Sequence, residues 1–309
     1  MSGYMSGIIT ILAINVIMAY AIYLPAAAGQ LNLGGAGFQA LGAYAAAYLS
    51  AAYGMTTSVT IPVAMLIGAI ISALIAFPLL RTKGVYLVLA TFAFGEVIAG
   101  AILNTEALGG AMGLSVPDYV GYQIPLIAAV LVTLFVFYLM ATRFGLVVRA
   151  THDDDVVADL LGAHVTGIRV AAFAIGGALA GLAGALYAHA FSFVEIQSFN
   201  ASLSIYLLLY VLLGGTQTAF GPLLGATFFT ILPEILRSVL PQLKVMVNAL
   251  FGEPGSLSPP DESWRFIVLG VFTVLMMIFR PEGLVTRTMV ERIKALFTGG
   301  KKQEKEALA

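Results

Sequence analysis

The sequence has no cysteine. Disulfides, thiol nucleophiles and cysteine-ligated metals are therefore excluded. Histidine is almost as scarce. His152, His164 and His189 are scattered and no H-E-x-x-H pattern occurs, so no metal site is expected. Charge is the most telling deficit. Asp, Glu, Lys and Arg make up 10% of the 309 residues, where a soluble domain carries about 25%. Not one of them, and no histidine, precedes Arg81. The first seven residues also lack a basic side chain, so the first apolar stretch reads as a retained span rather than a cleaved signal peptide.

What is present is apolar: 60% hydrophobic residues and a mean hydropathy of +0.97. A spanning helix needs about 20 mostly apolar residues, and the chain supplies such stretches repeatedly. They read as 8–27, 35–53, 60–80, 85–103, 124–141, 170–190, 203–213, 223–240 and 266–279. The expected fold class is an all-α, polytopic membrane helical bundle of about eight to ten segments. The segments 35–53 and 203–213 are broken or short and each adjoins a Gly-Gly pair, which allows a half-helix where protein covers the backbone.

Orientation follows the positive-inside rule. Arg81 and Lys83, then Arg143, Arg149 and Arg169, then Arg280 to Lys305 lie on one side. The 104–123 loop has only Glu106 and Asp118. The first group is expected in the cytoplasm and the acidic loop outside. Trp264 and Tyr122 fall where interfacial aromatic anchors belong. Residues 1–297 read as one membrane domain, and the polar tail 298–309 as a disordered appendage.

The loop 142–169 carries the clearest local pattern. Thr151 or Asp153 can cap a helix that has Asp153, Asp154 and Asp155 at its start. Val156, Val157, Leu160 and Leu161 form an apolar stripe beside Ala158, and Gly162 is placed to stop the helix. The segment 153–162 is either an interfacial connector or a docking helix for a soluble partner. Further on, Gly177, Gly181 and Gly184 supply small residues that let helices approach closely in lipid. Glu96 is a carboxylate in an otherwise apolar span. It should face protein or water and find a partner, structurally or in a translocation path. Gly34-Gly35 and Gly214-Gly215 form a weak internal echo, the kind of glycine-broken pair from which transporters build midplane sites. Gly35-Ala36-Gly37-Phe38-Gln39-Ala40 imitates a dinucleotide fingerprint but lacks its strand and helix context. Gly299-Gly300-Lys301-Lys302 lacks the spacing and the Ser or Thr of a P-loop, so this chain is not expected to bind ATP.

One set of runs carries more. From Asp154, Ala158, Leu161-Gly162 and Val165-Thr166 the chain passes to Ala171-Ala172-Phe173 and 178–188. Before these come 84–87 and 91–96; after them come Leu212 to Gly215, Phe220-Gly221-Pro222, Leu232-Pro233-Glu234 and 279–284. In this order they resemble the branched-chain amino acid ABC-transporter permeases, in particular the M-type subunit. The chain departs at His152, where a charged residue is expected, and at Gln39, where members often have histidine. The resemblance implies a transport subunit rather than an enzyme. It implies a second permease subunit, two ATP-binding subunits that hold ATP and Mg, an external solute-binding protein, and no nucleic acid. It places the chain in a bacterial inner membrane, importing branched-chain or related small amino acids by alternating access. It makes 153–162 the coupling helix; Gln39, Glu96, Gly214 and Gly215 stand beside it as candidates for the translocation path. The competing expectation is a proton-coupled secondary transporter built on Glu96.

Overall fold

In a chain so uniformly apolar, hydrophobicity cannot say which helix face turns inward, because lipid tails are as apolar as leucine. Small residues, buried polar groups and the few charges decide the packing instead. The computed structural model describes residues 3–82 and 84–251, with 270, 271, 273–275, 278–280, 283 and 284. Its helices are α1 Gly3–Ala27, α2 Gly35–Tyr53, α3 Thr57–Leu79, α4 Val85–Leu103, α5 Gln123–Ala141, α6 Arg143–Asp153, α7 Asp155–Leu160, α8 Val165–Phe191, α9 Ala201–Gly214 and α10 Phe220–Phe251. The described β-structure is one antiparallel pair of two-residue strands, Leu114–Ser115 against Phe193–Val194. The fold is an all-α polytopic membrane bundle.

Six of the described helical stretches are long and apolar enough to cross a membrane. Each of the first eight expected spans corresponds to a helix. The ninth, 266–279, falls largely outside the described residues, as does all of the tail 298–309. Several boundaries shift by a few residues, and the largest shift is at the end of α10, which does not stop at 240 but continues through Pro241 to Phe251. A proline removes a single backbone donor, and a long helix tolerates that loss when its neighbours support it.

α1 and α8 form the centre. In each, 67% of the spanning window is buried, against 17% in α4. α1 is apolar on every side, and from Ala13 to Ala28 almost all of it is covered, with Ile17, Tyr20 and Tyr23 fully enclosed. α3 and α2 pack on α8, α5 and α10 on α1, and α4 lies at the edge against α2. The connectivity gathers Arg81, Arg143, Arg149 and Arg169 at one end of the bundle. Glu106, Asp118 and Glu195 gather at the other.

Candidate functional site

The packing seam of α8 is built from backbone. Gly177 lies against Gly68 and Ser72 of α3, and Gly181 against the Ala64 carbonyl. On the other flank Gly184 meets the Gln39 carbonyl of α2. Gly176 approaches α1, where a side chain would fall 2.5 Å from the Ala21 carbonyl oxygen. Gly177, Gly181 and Gly184 are thus brought into one three-helix contact with α2 and α3. The Ser72 hydroxyl donates across it to the Phe173 carbonyl at 2.7 Å.

α2 begins inside the bundle, not at its rim. The chain between α1 and α2 carries buried Gln30 and Asn32. The amide of Leu33 donates to Thr91 Oγ1 at 3.0 Å, that of Gly34 to Asn32 Oδ1 at 2.8 Å, and that of Ala36 to Ser204 Oγ at 3.1 Å. These bonds serve the otherwise orphaned donors of a helix start. Directly beyond, Gly37 abuts Gly95 of α4, and Phe38 packs on Phe94 with ring centroids 5.1 Å apart. Gln39 is 4% exposed, and its Oε1 accepts no hydrogen bond among the described residues. Glu96 follows Gly95 but sits on the opposite face, on an exposed stripe with Tyr86, Leu89 and Ala93. The partner expected for Glu96 is not found: no hydrogen bond or ion pair reaches it among the described residues.

Gly214 and Gly215 lie elsewhere. They end α9, about 10 Å of helix beyond the Leu207 that packs at Gly35. Gly214 is pressed on the Gly221 carbonyl, and Gly283 on Gly215, while the Leu284 amide donates to the Leu213 carbonyl at 2.7 Å. Gly215 has φ +107°, a conformation that needs glycine. The pair makes a tight turn at the basic end and does not join Gln39 and Glu96. The echo with Gly34-Gly35 fails structurally, since one pair starts a helix and the other ends one.

In the loop 142–163 the sequence leads to two helices, not one. Asp153 closes α6. Asp154, at φ −154° and ψ 110°, breaks the path and caps α7. Its Oδ1 accepts from the amides of Val156 (2.9 Å) and Val157 (3.0 Å), so Asp154 rather than Thr151 or Asp153 is the cap. Thr151 is instead buried and donates to the Val148 carbonyl. α7 ends at Leu160, and Gly162 follows at φ +88° with its amide on the Asp159 carbonyl. Ala158 is buried, whereas Val156, Val157, Leu160 and Leu161 are 65%, 50%, 82% and 82% exposed. Arg169 of α8 ties the helix down through Asp155 at 3.4 Å. That ion pair was not legible beforehand, because fourteen residues and a turn separate its partners.

A second group missed by sequence reading lies at the acidic end. His189 is completely buried on α8. Its Nδ1 lies 2.8 Å from the Asp118 carbonyl oxygen, which can only accept, so Nδ1 donates. Nε2 then accepts from the Thr60 hydroxyl at 2.7 Å. The Asp118 carboxylate accepts from the Thr57 amide at 2.7 Å and the Thr57 hydroxyl at 2.5 Å, capping α3. Those bonds from Thr57, side chain first, hold the Asp118 carboxyl below the usual carboxylate range. Among the described residues no three His, Asp or Glu side chains cluster as a metal site. The group is a clamp on the 104–122 loop.

Compared with known proteins, residues 4–277 match the family model described as the permease component of the branched-chain amino acid transport system. The chain belongs to this branched-chain amino acid permease family. It is 31% identical over 296 residues to the high-affinity branched-chain amino acid transport system permease proteins LivM of Salmonella typhimurium and of Escherichia coli, covering 84% of this chain. It spans 64% of the length of each of these two relatives. A probable LivM of Methanocaldococcus jannaschii is 27% identical over 235 residues, 72% of this chain and 66% of that one. The autoinducer 2 import system permease protein LsrC of Salmonella paratyphi B shares 33% identity over a shorter stretch of 133 residues, 41% of this chain and 38% of that protein. No solved structure matches significantly. The matched family and relatives are permease components of transport systems.

Proposed function

We propose that this chain is the membrane permease subunit of an ATP-driven importer for branched-chain or related small amino acids in a bacterial inner membrane. In this reading 1–297 form the membrane unit. A second permease subunit completes the pathway, two ATP-binding subunits carry ATP and Mg, and an external solute-binding protein delivers the solute. The observation that carries the reading is α7. Four apolar side chains, Val156, Val157, Leu160 and Leu161, stand exposed on a capped helix that is anchored to the central α8 by Asp155 and Arg169. A rigidly anchored apolar knob at the basic end suits a groove on a soluble ATPase, and a push on it passes directly to the helix around which α1, α2 and α3 pack.

The path is assigned to the α2–α4 side. Glu96 lies in a spanning helix, and an ionised carboxylate facing lipid is expensive. Its stripe on α4 therefore faces the second permease or water, on the side of α4 turned away from the α2 start where Gln39 sits. Gly214 and Gly215 serve the turn between α9 and α10 rather than the path.

Reconstitution tests this. Uptake of radiolabelled leucine into proteoliposomes holding the assembled transporter should require ATP and proceed without a proton gradient. Uptake driven by a proton gradient alone, and lost in Glu96→Gln, would establish the secondary-transport alternative. The docking assignment has its own test. Val157→Asp with Leu161→Asp should abolish co-purification of the ATPase and uptake together at an unchanged level of the permease. Burial of one such side chain is worth about 1.5–3 kcal/mol, so a single truncation should weaken docking by about 10- to 100-fold. Normal ATPase retention by the double variant would make α7 a mere connector.

A further inference from the structure

α2 starts deep in the bundle. Gly34 packs on the Thr91 carbonyl, Gly35 on Ile22 and Leu207, and Gly37 on Gly95. From Val85, at the basic end of α4, to Gly95 is about 15 Å of helix. The hydrocarbon core of a bilayer is about 30 Å thick, so this start lies near mid-depth, where lipid offers a backbone donor no partner.

A helix start leaves four amides without an acceptor inside the helix. Here they belong to Gly34, Gly35, Ala36 and Gly37, since Phe38 makes the first helical bond, to the Gly34 carbonyl. The amide of Gly34 is answered by Asn32 and that of Ala36 by Ser204. Those of Gly35 and Gly37 meet no acceptor among the described residues, and both residues are buried. The Ser204 hydroxyl accepts from Ala36, yet its own proton finds no acceptor among the described residues. Buried donors left over at the positive end of a helix are a natural seat for an anion.

A polar side chain is aimed at the same place. Gln39 stands three residues after Ala36 and four after Gly35, so it shares their face of α2. A helical side chain leans toward the N-terminus and covers the turn before its own Cα. Gln39 is 4% exposed, and its Oε1 accepts no hydrogen bond among the described residues. A free carbonyl oxygen beside free N–H and O–H donors suits a ligand of both signs, a carboxylate for the donors and an ammonium for Gln39. The remaining neighbours are aliphatic. A methyl group on Gly35 would lie 2.8 Å from Ile22 Cδ1 and 3.3 Å from Leu207 Cδ1, and both side chains are buried. These two tips close the site in this structure. A solute with a branched apolar side chain exchanges one aliphatic surface for another as they turn aside.

We propose that the buried start of α2 is the solute site within the permease and that it takes a free α-amino acid with an aliphatic side chain. The carboxylate lies on the Gly35 and Gly37 amides and the Ser204 hydroxyl, and the ammonium on Gln39 Oε1. Ile22 and Leu207 set the size of side chain admitted. The passage of solute through this site rests on the importer reading above; the binding does not.

The test is binding of radiolabelled leucine to the full-length chain, with the subunits that co-purify, in nanodiscs without any external binding protein. ATP-driven leucine uptake in proteoliposomes is measured beside it. Wild type should bind leucine. Leucinol, which lacks the carboxylate, and 4-methylpentanoate, which lacks the ammonium, should compete at least about tenfold more weakly. Gln39→Met should weaken binding by about 10- to 100-fold, the loss of one hydrogen bond to a charged group. Leu207→Ala should shift preference from leucine toward phenylalanine by at least about tenfold, which a merely structural side chain would not do. Should Gln39→Met fail to assemble, the two analogues and Leu207→Ala decide alone. Absence of binding by wild type, equal competition by either analogue, wild-type affinity in Gln39→Met or an unchanged preference in Leu207→Ala would each overturn the site. With ATP-driven uptake intact, any of these leaves the importer reading standing. Leucine binding with the expected pattern but no ATP-driven uptake would overturn that reading and leave the site.

Discussion

Gly42 of α2 and Gly181 of α8 meet backbone to backbone: a methyl group on Gly42 would lie 2.5 Å from both the Cα and the carbonyl oxygen of Gly181. In lipid, association gains little from hydrophobicity and depends on such close van der Waals fit. Gly181 is also pressed by α3 through Ala64, so one residue holds two helices at backbone distance.

Gly181→Leu should therefore destabilise the membrane unit more than the about 1–3 kcal/mol usual for overpacking, because backbone rather than a flexible side chain must give way. Gly100→Ala, where a side chain meets no neighbour within 4 Å, should be neutral. Thermal melting of the two variants in detergent checks this. Equal stability would mean that α8 does not seat against α2 and α3 as described.

His189→Ala should release the 104–122 loop. The bonds to Thr60 and the Asp118 carbonyl, and the longer one to the Thr57 hydroxyl, disappear while their partners stay behind, a loss of about 2–4 kcal/mol. Hydrogen exchange across the loop should rise sharply in the variant while exchange in α1 stays slow. Unchanged protection would show that the strand pair Leu114–Ser115 with Phe193–Val194 holds the loop alone.

The Asp118 cap has a pH signature. Its carboxyl is held below the usual carboxylate range by Thr57. A group depressed in the folded state stabilises the fold above its unfolded value, about 3.9, and that contribution fades as pH falls through the folded value. Asp118→Asn should thus melt earlier than wild type at pH 7. The gap should close in acid, below the usual carboxylate range. A gap that persists there would assign the effect to something other than ionisation.

α7 has six residues, too few to persist on propensity alone, so its cap and its stop should matter. Asp154→Ala forfeits about 0.5–2 kcal/mol of capping. Gly162→Val forces a β-branched residue to φ +88°, at a cost of about 1–3 kcal/mol. Both should weaken ATPase capture by the purified permease, with Gly162→Val the more severe. Affinity equal to wild type in both would mean that α7 does not form the contact.

Glu96→Gln keeps the size and the hydrogen-bonding capacity of the side chain and removes its charge. On the importer reading, ATP-driven uptake should persist within about tenfold of wild type. A partner residue on the second permease should become detectable, by crosslinking from a cysteine at position 96, since the parent chain has none. Crosslinking to lipid probes alone would place this stripe of α4 outside the pathway.

Much of this molecule could be read from the chain itself. Apolar stretches of spanning length, the absence of charge before Arg81, and the clustering of arginine in a few loops determine that it is a membrane bundle and which loops share an end. These signals are local, and the cost of burying an uncompensated polar group in lipid makes them strict. The glycine at 162 and the acidic start of α7 were likewise legible, because capping and left-handed turns depend on a few neighbouring residues.

Tertiary structure alone decided the rest. Apolarity on every side of α1 could not say that α1 lies at the centre and α4 at the edge. Asp154 displaced Thr151 and Asp153 as the cap because the buried packing of Thr151 and Val148 committed α6 to run on to Asp153. Gly214 and Gly215 came to lie in a turn, apart from Gln39 and Glu96, once Gly221 and Gly283 closed on them. His189 gained a role only when α3 and the loop bearing Asp118 came within hydrogen-bonding distance, 129 and 71 residues away in the chain. Where every side chain is at home in lipid, sequence determines that a segment enters the membrane, and only the fit of one backbone against another determines where it sits.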